Sequence, residues 1–283
     1  MTGRPPMGRV IILRTFSDIL SHLRSGEWPL AMSLVVVSLL LAIASSCQPV
    51  FAFSEDEVRS FQKEIAERPL HERIALWAER FVGTPYDPDP LGEYVTRQVI
   101  VADERVDCMY LSFRTVELAI GRTPEEAVMI ALDKRFIVRG ISEGGRVVNY
   151  DERFQYGEDM IESGKWGREI TADIAPPTFI EGARGRERVG MISKESLRGI
   201  LQNPERAAGR FESGDFVFFI KSPEKRHAGE IVGHIGVIKR EEAAIYLIHA
   251  GGKKKGGGSV KKVLFSEYVE SMPFAGVRVS RFD

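Results

Sequence analysis

Three side chains in this sequence would make a hydrolytic site if the fold brought them together: Cys108 in RVDCMYLSFRTVELAI, His234 in GHIGVIK and His249 in AIYLIHAG. A thiol attacks only as its thiolate, and an unassisted thiol is only a few per cent ionised at neutral pH. Asp107 directly precedes Cys108 and reads as a helix N-cap, which places the cysteine in the first turn of a helix over about 108–120. Unpaired N–H groups and the positive end of the helix dipole favour an anionic sulfur there. The same N–H groups are candidates for an oxyanion hole.

The two histidines supply the base and its support. GHIGVIK and AIYLIHA are apolar segments joined by Arg240-Glu241-Glu242-Ala243. A hairpin centred on Glu241-Glu242 sets His234 opposite His249, with Cβ atoms about 5 Å apart. One imidazole then takes the thiol proton while the other fixes its tautomer and orientation. Two histidines packed on a sheet, or half of a zinc site, are the alternatives. Zinc needs at least one more ligand, and no CxxC or HExxH spacing occurs. The sequence therefore predicts neither a metal nor an organic cofactor. His71, in a helical region, and His227, in the charged segment SPEKRHAGE, read as surface residues.

The N-terminus bears on the compartment. Arg4, Arg9, Arg14 and Arg24 precede an apolar run, Leu30 to Ala44, of 15 residues. That is short of the roughly 20 residues a spanning helix requires. With the small-residue exit at Ala52, residues 1–52 are expected to be a secretory signal peptide. Acylation at Cys47, as in a lipoprotein, or an uncleaved anchor are the other options. An exported location, periplasmic or cell envelope, follows, with membrane contact only through the signal or that lipid. Once residues 1–52 are set aside, Cys108 is the remaining cysteine, so no intrachain disulfide can form.

The remainder, 53–283, is about 230 residues, enough for one well-packed domain. Its net charge is about −3, since four arginines and two acids leave with the signal. That balance argues against a nucleic-acid partner, which calls for a strongly basic surface. Ser54-Glu55-Asp56-Glu57 is a capping box opening a helix with Val58, Phe61 and Ile65. After a break at Pro69, Ile74, Leu76, Trp77 and Phe81 continue it. Residues 83–92 form a Pro- and Gly-rich loop, and VTRQVIV, residues 95–101, is β-prone. Thr123-Pro124-Glu125-Glu126 opens another helix. Residues 136–210 lack a clean period and are expected as an insertion or subdomain. From Gly214 the chain turns to strands: DFVFFIK, HIGVIK, AIYLIHA, VKKVLF and GVRVSRF.

In this order, Asp107-Cys108, then Gly214-Asp215-Phe216-Val217, His234-Ile235-Gly236 and Ile248-His249-Ala250 resemble the NlpC-type superfamily of papain-like cell-wall cysteine hydrolases. The resemblance implies an α+β papain-like fold, with N-terminal helices that include the Cys helix packed on a C-terminal antiparallel sheet. It implies Cys108 as nucleophile, His234 as base and His249 as the orienting residue. More narrowly, GTPYDPDPLGE (83–93), ERFQYGEDMI (152–161) and SEYVESMPFAGVRVSRF resemble the N-acetylmuramoyl-L-alanine amidase-like branch, long catalogued as a domain of unknown function. The likeness runs over about residues 70–283.

The implied activity is amide hydrolysis in peptidoglycan or muropeptides, at the bond between the muramic lactyl group and L-Ala. The alternatives are the D-Glu/diaminopimelate bond, non-catalytic glycopeptide binding in the envelope, and acyl transfer from a thiol. Tyr86 resembles the superfamily tyrosine that lines the cleft, and Asp107 can cap the helix and hold a substrate amine or amide. Arg153 and Tyr156 are weaker substrate candidates. The Lys253 to Lys262 stretch follows His249 and is suited to carboxylates of a stem peptide or to solvent. The sequence departs from the pattern at Met109-Tyr110-Leu111, where small and Thr-rich residues are usual, and at Gln155 and Met160, where His and Trp are usual.

Overall fold

The structure is a computed structural model that describes residues 52–88, 91–252 and 257–283. The expected signal segment and Cys47 lie outside the described residues. Helix α1 (Glu55–Glu64) starts at Ser54, whose hydroxyl accepts the Glu57 N–H while the Glu57 carboxylate accepts the Ser54 N–H, the capping box read from sequence. Helix α2 (Leu70–Arg80) follows Pro69 and buries Ile74, Trp77 and Ala78. Helix α3 (Cys108–Ile120) begins at the Asp107 N-cap, and α4 (Pro124–Lys134) at Thr123. Three shorter helices follow, α5 (Gly157–Glu162), α6 (Lys194–Leu201) and α7 (Phe265–Ser271).

One antiparallel sheet organises them. Its main strands are β1 (Thr178–Glu181), β2 (Arg188–Ser193), β3 (Phe216–Ile220), β4 (Val232–Glu241), β5 (Ala244–Gly252), β6 (Gly258–Leu264) and β7 (Gly276–Arg281), in the order β1-β2-β7-β3-β4-β5-β6, with the two-residue strand Arg168–Glu169 also paired to β7. Residues 136–210 thus supply β1 and β2 to the sheet and α6 to one of its faces. All five residues of β3 are buried because both faces of the sheet are covered. Phe216, Phe218, Ile235 and Ile248 face a core shared with α1 to α4 through Trp77, Phe113 and Val116. Val217, Phe219, Leu247 and Val277 face a second core with Leu197, Phe265 and Val269 of α6 and α7. The mixed α+β class, with helices on an antiparallel sheet, is as expected.

Two expectations are corrected. Residues 95–101 form no strand: Glu93–Thr96 is a single helical turn, its first N–H held at 2.6 Å by the Asp87 carboxylate. β propensity is decided by a pleated neighbour to pack on, and none is offered to this segment. The hairpin between β4 and β5 turns at Glu242-Ala243, one residue later than read, with Glu242 taking a positive φ of 52°. Its pairs run from Glu241↔Ala244 to Val237↔Ile248, a register two residues away from the one that sets His234 against His249. A slip of two keeps side chains on the same face, whereas a slip of one would have parted them. Among the described residues no helix is long and apolar enough to cross a membrane.

Candidate active site

The first turn of α3 uses its donors in an ordered way. The Asp107 carboxylate accepts the Tyr110 N–H at 2.6 Å and is also reached by the Met109 N–H, while the Asp107 carbonyl accepts from Leu111. That leaves the Cys108 N–H, which lies against its own sulfur. A second donor comes from β4. Ile238 exchanges backbone hydrogen bonds with Gly214 and Asp215, so even-numbered residues of β4 turn their N–H and C=O groups toward β3 and odd-numbered ones toward β5. The β4–β5 ladder stops at Val237↔Ile248, which leaves Ile235 without a ladder partner in β5. Its N–H donates to the Cys108 sulfur instead. The thiol therefore sits where the two strands part, beside the residue that follows His234.

The imidazoles meet on the diagonal. His234 Nε2 and His249 Nδ1 are 2.9 Å apart, with ring planes at 89°. Phe274 stacks parallel to His234 at 6.3 Å, and Tyr268 of α7 packs 4.8 Å from the His249 ring. These rings pack against the pair on one side. With His234 Nε2 committed to His249, its Nδ1 is the nitrogen left for a proton from elsewhere. For Nδ1 to accept, Nε2 must carry the hydrogen and donate to His249 Nδ1, which places the His249 proton on Nε2.

Electrostatics correct one further expectation. Cys108 is half-buried as a residue, but its sulfur is closely packed; burial, followed by the neighbouring Asp107 charge, pushes the thiol up to about 12. The two N–H donors oppose this without overcoming it. His234 is pushed down to about 3 by burial and then by His249, and His249 to about 4 by burial and then by Lys261. Asp107 is raised by burial to about 6. These shifts favour a neutral thiol and neutral imidazoles at rest, not the thiolate that the helix N-terminus alone suggests.

Tyr86 stands at the same opening. Its N–H donates to Gly258 O and the neighbouring Asp87 N–H to Val106 O, so the Pro-rich loop bridges β6 and the approach to α3. Burial, then the charge of Cys108, raises its hydroxyl to about 12. Gly252 lets the ring lie flat against β5, since a Cβ there would collide with it. Arg153 and Tyr156 are engaged by other partners: Arg153 donates to Tyr150 O at 3.0 Å, and Tyr156 lies under the Arg184 guanidinium at 3.5 Å. Of the departures, Tyr110 and Met160 are buried in the core, while Gln155 is exposed.

A groove of about 660 Å³ opens beside His249, lined by Gly251, Gly252, Lys261, Val263 and Tyr268 among others. Another hollow of about 340 Å³, between His71, Glu72, Lys239 and Arg240, contains no thiol. Sequence reading missed Tyr268 and Phe274, which pack on the imidazoles; Lys261, within the basic stretch singled out from sequence, pairs with His249 across β5 and β6. It also missed the buried polar cluster behind α3: Tyr110 donates to Asp103 at 2.6 Å, Arg114 bonds Asp103 at 2.9 Å, and Arg135 bonds Glu117 at 2.5 Å. The unusual polar positions Arg114 and Glu117 in an otherwise apolar helix were the available signal. Among the described residues no three His, Cys, Asp or Glu side chains cluster as a metal site would.

The fold is shared with solved structures of low sequence identity. A Legionella pneumophila protein assigned to the family DUF1460 superposes with a TM-score of 0.62 at 13% identity, over 80% of this chain and 93% of that one. An N-acetylmuramoyl-L-alanine amidase from Bacteroides uniformis gives 0.55 at 15% identity, over 74% and 97%. A Bacteroides fragilis protein named as a xylanase gives 0.54 at 17% identity, over 74% and 100%. No family model matches the sequence, and no curated protein matches it. At these identities the likeness establishes the fold, and the differing names of the neighbours leave the chemistry to be argued from the site.

Proposed function

We propose that this chain is an exported cysteine amidase of the papain-like, NlpC-type kind, cleaving the amide between the muramic lactyl group and L-Ala in peptidoglycan or muropeptides. One observation carries the reading: a thiol at a helix N-terminus is reached by two backbone N–H groups, one of them that of Ile235, the residue directly after His234, whose ring pairs with His249. The amidase-named neighbours favour this bond over the D-Glu/diaminopimelate bond. In the proposed reaction His234 Nδ1 takes the Cys108 proton as sulfur attacks the amide carbonyl. The resulting oxyanion is held by the Cys108 N–H and the Tyr86 hydroxyl. The imidazolium, supported by His249, returns the proton to the departing amine, leaving a thioester. Water deprotonated by His234 then releases the acid and restores the thiol. Asp107 fixes the first turn so that the Cys108 N–H stays aimed at the reacting centre.

The test is mass spectrometry of muropeptides incubated with the purified protein. Wild type is expected to release free stem peptide, and Cys108→Ala to release none while keeping its circular dichroism spectrum. Undiminished release by that variant would sink the proposal. A second reading, glycopeptide binding without turnover, is favoured by the neutral resting thiol; it predicts saturable muropeptide binding with no product from wild type.

A further inference from the structure

Consecutive lysines of β6 have opposite fates. Lys262 is tied to Glu79 at 2.6 Å and to Glu241, so its charge is spent within the fold. Lys261, one residue earlier, points to the other face, as alternation along a strand requires. It pairs in register with His249 and borders the groove that His249 and Tyr268 line. Lys261 is exposed and has no acidic partner among the described residues. Among the described residues the lining of that groove contains no Asp or Glu. A cleft whose described lining holds, besides His249, one uncompensated ammonium, glycines, an aromatic ring and an aliphatic side chain is matched to an anionic ligand group. The Lys261 charge also acts on His249, which places the ammonium within electrostatic reach of the site.

We infer that Lys261 selects substrates bearing a carboxylate close to the scissile amide, making the groove beside His249 an anion-recognition subsite. This rests on the amidase reading for its biological meaning, but its geometry can be tested without turnover. Glycines 251, 252 and 258 add no side chains to the lining, and the Tyr86 ring takes the space at Gly252, so Lys261 is the charged side chain that β5 and β6 present to the groove among the described residues. A lysine here acts as a point charge on a flexible stem, so the selection is for charge, not for bidentate shape.

The first test compares alkylation of Cys108 by anionic iodoacetate and neutral iodoacetamide, read by mass spectrometry of the peptide containing Cys108. Taking the ratio of the two rates removes any dependence on how much thiolate is present. Lys261→Gln should lower the iodoacetate-to-iodoacetamide ratio by about two- to fivefold, the range for an exposed charge, and Lys261→Arg should restore it. Unchanged ratios in Lys261→Gln would overturn the inference. The second test offers wild type two muropeptides that differ only in a free or amidated α-carboxylate on the second stem residue. A several-fold preference for the acid, lost in Lys261→Gln, supports the subsite, and equal rates overturn it. Hydrolysis by Cys108→Ala would defeat the amidase reading alone and leave the alkylation result to stand or fall by itself.

Discussion

At the scale of single residues, the site is a set of neutral groups waiting for a proton transfer. A preformed thiolate–imidazolium pair would hold its alkylation rate level across the pH range between its two titrations. Here the thiol lies near 12 and His234 near 3, so the thiolate fraction rises about tenfold per pH unit through neutrality. Iodoacetamide labelling of Cys108 is expected to accelerate steadily from pH 6 to pH 9, and a plateau there would mean a preformed ion pair. His234→Ala should lower kcat by about 10² to 10⁴, the range for a general acid–base group, with His249→Ala costing less and His249→Asn recovering part of that loss. The histidines also set a stability trend. Both have folded values below the ordinary 6.5, so the unfolded chain binds protons more readily as the pH falls. Their contribution is complete above about pH 6.5 and is lost as pH drops toward 4 and 3. Asp107, raised to about 6, has the opposite sign: its ionisation costs stability as pH rises from about 4 to 6. Acid unfolding of a His234→Gln, His249→Gln double variant is accordingly expected at lower pH than that of wild type, measured by tryptophan fluorescence.

At the scale of elements, α3 is both the platform of the nucleophile and an apolar helix that buries two charged residues. Arg114 and Glu117 are almost wholly shielded from solvent, and each is paired: Arg114 with Asp103, Glu117 with Arg135. Arg135 also lies over the Tyr110 ring at 4.9 Å. Removing one partner strands a buried charge, which costs about 3–5 kcal/mol where the pair is intact otherwise. Asp103→Ala is therefore expected to lower the urea midpoint of unfolding markedly. Because Tyr110 loses its acceptor in the same variant, the first turn of α3 loosens and activity falls further than stability alone accounts for. A Tyr110→Phe variant, which keeps the Asp103–Arg114 pair, should give a milder form of both effects. The helix itself was legible from Asp107 and the apolar spacing after it. The pairing of its polar residues was not, since Asp103 and Arg135 lie outside the helix and nothing local says which cation meets which acid.

At the scale of the whole molecule, the last strand of the chain is central: β7 lies between β2 and β3. A chain ending at Ala275 would expose two ladder edges and leave Val277 and Val279 missing from the second core. Such a truncation is expected to be insoluble or to lack a cooperative thermal transition, whereas loss of Asp283 alone should be tolerated. The same topology explains what could be read in advance. Alternation and capping are local, so the helices at Ser54, Asp107 and Thr123 and the strands after Gly214 followed from residue type and spacing, as did the shared face of His234 and His249. The turn position was misread by one residue, because Glu241-Glu242 and Glu242-Ala243 are nearly equivalent as loops and the choice falls to the packing of both strands. Segment 136–210 showed no periodicity because its short strands are shaped by the edge they join. The acid–base state of the site belongs wholly to the fold: a helix N-terminus argues for a thiolate, but close packing around the sulfur and the two rings removes the water that would stabilise any charge, and that packing arises from residues more than a hundred positions apart.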